Sequence, residues 1–130
     1  MSHRSSHLYL PGTVEAVAHA RRAVAGTMRG WGFSDSGWLD TVSLIVTELV
    51  SNAVRHAGGR ITLDLRVNGE MVLGVTDSSP ARPRVIAPDD AGGRGMIIID
   101  ALCPRWGVHE HESGKRIWVE LPHFPEGPQR

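Results

Sequence analysis

Three polar side chains recur at four-residue intervals in the stretch ELVSNAVRHAGG: the Glu48 carboxylate, the Asn52 amide and the His56 imidazole. On a helix, residues four apart are neighbours on one face, so the three could act as a unit. A zinc site is a poor fit, because zinc prefers Cys, His and carboxylate ligands. Magnesium takes oxygen ligands, keeps several waters and is commonly held by one or two protein oxygens together with substrate phosphates. The Asn52 carbonyl oxygen suits that role and leaves Glu48 available as a base. A solvated helix edge, with Glu48 paired to Arg55 or another surface base, also accounts for the row.

A second group lies further along the chain. Asp77 follows the apolar run MVLGVT and opens the segment Asp77-Ser78-Ser79-Pro80, where an Asp can also start a turn by accepting from the backbone amides that follow. Beyond it, Gly92-Gly93-Arg94-Gly95-Met96 leads into an apolar segment. Glycines at a helix N-terminus let the backbone approach an anion, and the unpaired amides and helix dipole favour phosphate. A flexible turn has the same composition.

The elements that must position these groups follow from periodicity. A short strand is expected around Ser6–Leu10, then a turn at Pro11-Gly12 and a helix from Val14 capped by Thr13, with Val14, Val17, Val24 and Met28 at helical spacing. Gly30-Trp31-Gly32 ends it, and Ser34-Asp35-Ser36-Gly37 offers caps for a second helix over Trp38–His56, stopped by Gly58-Gly59. Within that helix Val42, Ile45, Val46, Leu49 and Ala53 form one apolar arc. Each four-residue step of the polar row turns by about 40° toward that arc, so the row lies at the rim of a core.

Ile61, Leu63, Leu65 and Val67 alternate with polar residues as a half-buried strand does, and Asn68-Gly69 predicts a tight hairpin into Met71–Thr76. Residues 77–95 are rich in Ser, Pro, Asp, Gly and Arg, a loop of the length usually reserved for function. A short helix over Met96–Leu102 follows, closed by Pro104. A second hairpin joins Trp106–Glu112 to Lys115–Leu121 around Ser113-Gly114, and the Pro-rich tail from 122 to 130 is expected to be irregular. The connections are too short for an all-parallel arrangement, and the order of elements predicts an α+β, two-layer sandwich, helices gathered on one face of a mostly antiparallel mixed sheet.

Composition bounds the function. The 130 residues suit one domain, and 14 Lys and Arg offset 14 Asp and Glu, so the net basic field that drives direct nucleic-acid binding is missing. A single Cys103 excludes an internal disulfide. No stretch reaches the roughly 20 apolar residues of a membrane span, and MSHRSSHLYLPG lacks a signal-peptide core. A soluble, cytoplasmic protein is expected.

Taken in order, ELVSNAVRHA, the Asp77-Ser78-Ser79-Pro80 segment and GGRGMIIIDAL with PRWG resemble the N box and the two glycine boxes of the GHKL ATPase superfamily, which includes gyrase B, histidine kinases and anti-sigma-factor serine kinases. The resemblance spans Val14 to Leu121 and is strongest to the small anti-sigma-factor kinase-like branch. It implies the Bergerat ATP-binding sandwich as a single ATP-binding domain over 1–130. It implies that Asn52 coordinates Mg2+ on the ATP phosphates, that Asp77 accepts from the adenine amino group and that Glu48 is the catalytic base. The backbone around Gly93, Gly95 and Met96 would hold phosphates with Arg94 as a partner, and residues 79–95 would form a nucleotide lid. The family often has a Gly two residues after its adenine-binding Asp, where this chain has Ser79. It often starts its last strand with a Thr near the nucleotide, and GKRIW puts Arg116 at that position.

The resemblance implies a protein serine kinase acting on an anti-sigma-factor antagonist protein, with a sigma factor as the other partner and a homodimer as the assembly. A non-catalytic, ATP-dependent protein-binding module is the competing reading, and retention of the fold without nucleotide a third. Other features are assigned to structure. His109 and His111 share a strand face without further metal ligands, and Ser78 and Ser79 lack the glycines of a nucleophile elbow. Trp31, Trp38, Trp106 and Trp118 are expected as core or interface anchors, and His19, Arg21 and Arg22 as solvated surface.

Overall fold

The computed structural model describes residues 3–57, 59–78, 94–111 and 114–125, with the side chains of residues 56, 57, 94, 95 and 111 left aside. Its elements run β1 (Arg4–Leu10), α1 (Glu15–Gly30), α2 (Ser36–Ala57), β2 (Ile61–Asn68), β3 (Glu70–Asp77), α3 (Arg94–Leu102), β4 (Trp106–His111) and β5 (Gly114–Glu120). The strands form one sheet in the order β1-β2-β3-β5-β4, with all four pairings antiparallel. This is the α+β two-layer sandwich that the sequence predicts.

The alternation in β2 decides which sheet face is covered. Ile61, Leu63 and Leu65 are buried with their register partners Val75 and Leu73, and Ile117 and Val119 continue the same face in β5. The helices bury Ala16, Ala20, Val24 and Met28 of α1, a long stripe of α2, and Met96 and Ile99 of α3 in the same core. Asn68 and Glu70 flank Gly69, whose φ of 82° is the left-handed conformation that the tight hairpin demands.

Two details differ from the periodicity reading. Val14 is 75% exposed, and α1 begins one residue later without a side-chain cap; the Thr13 carbonyl, not its hydroxyl, engages the first turn through the Ala16 amide. The buried row is instead Ala16, Ala20, Val24 and Met28. Its end is a Schellman motif: the Phe33 amide donates to the Met28 carbonyl and the Gly32 amide to the Arg29 carbonyl, with Gly32 at φ 99°.

Residues 121–125 have no regular structure yet are anchored, and the rest of the expected irregular tail, 126–130, lies outside the described residues. Trp38 Nε1 donates to the Pro122 carbonyl at 2.9 Å, and the Phe124 ring packs edge-on against Phe33 and Trp38 with centroids 5.1 and 5.0 Å apart. At the opposite end of α2, a Cβ on Gly12 would collide with the Gly59 carbonyl, so the turn before α1 and the turn before β2 touch through backbone alone. None of the described helices is long and apolar enough to cross a membrane.

Candidate functional site

Helix α2 carries the first half of the site. Asp35 fixes its start, with Oδ2 accepting from the Trp38 amide at 2.9 Å. Val42, Ile45, Val46, Leu49 and Ala53 are all buried, as the apolar arc predicts, and Leu39 and Val50 join them. The polar row drifts into this arc: Glu48 is half-buried, whereas Asn52 is 2% exposed. His56 belongs to the last turn of α2, and its side chain lies outside the described residues.

The Asn52 Oδ1 atom is enclosed and accepts no hydrogen bond among the described residues. Leaving a buried acceptor unsatisfied costs about 1–3 kcal/mol, so fold stability does not account for this amide. A cation or a ligand donor would satisfy it, and an amide oxygen is the donor type magnesium takes. Asn52 therefore fits the role of an ion ligand, and one helical turn separates it from the Glu48 carboxylate.

The second half comes from the sheet. Asp77 is the last residue of β3, opposite Ile61 on one side and Lys115 on the other. It is 5% exposed, and Lys115 Nζ donates to its Oδ2 at 2.9 Å. The following Ser78 is structural: its amide and its hydroxyl both donate to the Arg60 carbonyl at 3.1 Å, extending the β2–β3 pairing. Close packing holds β5 here, because Gly114, at φ 150°, sits where a Cβ would strike the Asp77 carbonyl.

Strand parity moves one assignment. Arg116 does not face Asp77; it lies on the sheet face opposite the described helices and binds Asp64. The residue beside Asp77 is Lys115, which shares the core face with Ile117 and Val119. The motifs do not single out Lys115, although counting back by twos from Val119 finds it.

Arg94 and Gly95 form the first turn of α3, and Met96 is buried in the core, so only its backbone could meet a phosphate. Gly93 and nearly all of the expected lid, residues 79–93, lie outside the described residues. The tryptophans are anchors: Trp38 in the aromatic cluster, Trp106 through Nε1 to Asp100 Oδ1 at 2.9 Å, Trp118 against Gly107 and Trp31 at the core margin. Among the described residues no cluster of three or more His, Cys, Asp or Glu is placed to hold a metal, which leaves His109 as an exposed strand residue.

Comparison with known proteins matches residues 10–121 to the histidine kinase-like ATPase domain. The chain belongs to that family. It is thus a GHKL domain of the Bergerat type, and membership of an ATPase-domain family implies that it binds ATP. An uncharacterized protein of Streptomyces coelicolor is 31% identical to this domain over 84 residues, covering 58% of this chain and 79% of its own. A structure of the RsbU and RsbW domains of Rv1364c from Mycobacterium tuberculosis superposes with a TM-score of 0.66 at 17% identity over 92% of this chain. This ATPase domain spans only 32% of that structure's length. The histidine kinase AdeS of Acinetobacter baumannii, at TM-score 0.52 and 15% identity, covers 92% of this chain and 68% of its own. At these identities the superpositions establish a common fold.

Proposed function

We propose that this chain is an ATP-binding regulatory protein, a single domain over 1–130, that transfers the ATP γ-phosphate to a serine of an antagonist protein and holds a sigma factor as its other partner. The observation that carries the reading is the enclosed Asn52 Oδ1, a desolvated acceptor without a described donor, one turn from the Glu48 carboxylate. Asn52 would hold Mg2+, which supplies charge neutralisation on the phosphates. Glu48, half-buried at the rim, would accept the proton of the attacking seryl hydroxyl. Asp77 would accept from the adenine amino group, and the α3 N-terminus from Arg94 onward, with Gly93, would take the phosphates. Residues 79–95 would be the lid over the nucleotide. Phosphoryl transfer depends chiefly on positioning and charge stabilisation, and one helix bearing both Glu48 and Asn52 would serve the positioning. Structural likeness to the RsbU and RsbW domains of Rv1364c supports the regulatory part of the reading.

The deciding experiment incubates the protein with γ-labelled ATP, Mg2+ and the antagonist protein. Label should appear on one serine of the antagonist, and Glu48→Ala should abolish transfer while nucleotide binding persists. Undiminished transfer by Glu48→Ala would remove it as the base. Binding of ATP and partner without any transfer would establish the non-catalytic module instead.

A further inference from the structure

Lys115 is 5% exposed and stands on the core-facing side of β5, directly opposite Asp77 in the register. Its Nζ spends one of three donors on Asp77 Oδ2 at 2.9 Å, and among the described residues no other acceptor takes the remaining two. An enclosed ion pair rarely stabilises a fold more than apolar side chains of similar volume. Packing alone therefore gives no reason for an ammonium at a position whose strand neighbours on this face are Ile117 and Val119.

Side by side, the two groups present an acceptor and a donor at the ends of β3 and β5. The Watson–Crick edge of a 6-aminopurine is their complement, with the N6 amino group donating and the adjacent N1 accepting. A 6-oxopurine inverts both groups. Resting on the reading of Asp77 as the acceptor for the base, we propose that Lys115 donates to purine N1 and is a second specificity-determining residue, selecting 6-aminopurine nucleotides over 6-oxopurine ones.

The test is calorimetric titration of the whole chain, with Mg2+, by ATP, by 1-deaza-ATP, in which N1 is replaced by C–H, and by ITP. A hydrogen bond from a charged donor predicts that 1-deaza-ATP binds about tenfold or more weakly than ATP, and ITP more weakly still. Lys115→Met should lose affinity for ATP and bind ATP and 1-deaza-ATP alike, while Lys115→Gln, which keeps a donor, should retain part of the preference. Equal binding of ATP and 1-deaza-ATP by the native chain would overturn the role of Lys115 and leave the ATP site standing. Absence of ATP binding would overturn both. Should Lys115→Met fail to fold, the comparison of ligands on the native chain decides the matter alone.

Discussion

Arg116 grips Asp64 with two nitrogens, Nε to Oδ1 at 3.2 Å and Nη2 to Oδ2 at 2.8 Å, across the sheet face opposite the described helices. The guanidinium reaches from β5 over β3 to β2, passing above Gly74, where a Cβ would fall into it. Arg116→Ala leaves Asp64 enclosed without this partner and should lower unfolding free energy by about 2 kcal/mol in urea titration. ATP affinity should not change, because Asp77 faces the other way. A loss of affinity at unchanged stability would contradict this placement.

Gly74→Val probes the same pair from beneath. The added side chain must displace the Arg116 head group, so most of the stability lost in Arg116→Ala should be lost here too. In the double variant the two losses should fail to add, since both remove one interaction.

Asn52 gives the opposite pattern. Its Oδ1 accepts nothing among the described residues, so Asn52→Ala should leave stability within about 1 kcal/mol of the native chain. The rise in melting temperature on adding Mg2+ and ATP should disappear. Thermal unfolding with and without nucleotide measures both, because a ligand at about 100 times its dissociation constant adds about 2.7 kcal/mol.

How much of this is legible in the sequence depends on how local the determining forces are. The α2 arc and the β2–β3 hairpin can be read because helical and strand periodicities, and the Asn68-Gly69 turn, are decided within a few residues. Angular drift puts the polar row at the rim of the core, and the fold carries Asn52 further, to full burial. Strand order is not legible, since β5 enters the sheet between β3 and β4 through contacts remote in sequence. Lys115 escapes notice for that reason: a charged residue reads as solvated until its partner, 38 positions earlier, is known. The Thr13 cap fails because a backbone carbonyl does the work assigned to a hydroxyl.

Burial pushes the Cys103 thiol up to about 11 from its ordinary 9.0. The unfolded chain therefore releases this proton first as pH rises, and stability should fall between pH 9 and 11. Cys103→Ala should show a shallower decline over that window in denaturant titrations. In the native chain at neutral pH, alkylation of Cys103 should be slow and should accelerate on unfolding.

Phe124→Ala should cost about 2 kcal/mol, since each edge-on aromatic pair adds about 0.5–1.5 kcal/mol beyond area burial and Phe124 makes two. Loss of near-ultraviolet dichroism from Trp38 would accompany the change. Nucleotide affinity should be retained, because the cluster lies at the start of α2, remote from Asn52.

Gly114 and Lys115 open the final strand of the sheet, whereas Asp77 closes the third. A ribosome delivers Asp77 first and Lys115 only after 38 further residues. During synthesis the Asp77–Lys115 pair thus forms late, when the C-terminal hairpin slots in beside β3. On the proposed base contact, nucleotide capture would then report that this hairpin has docked.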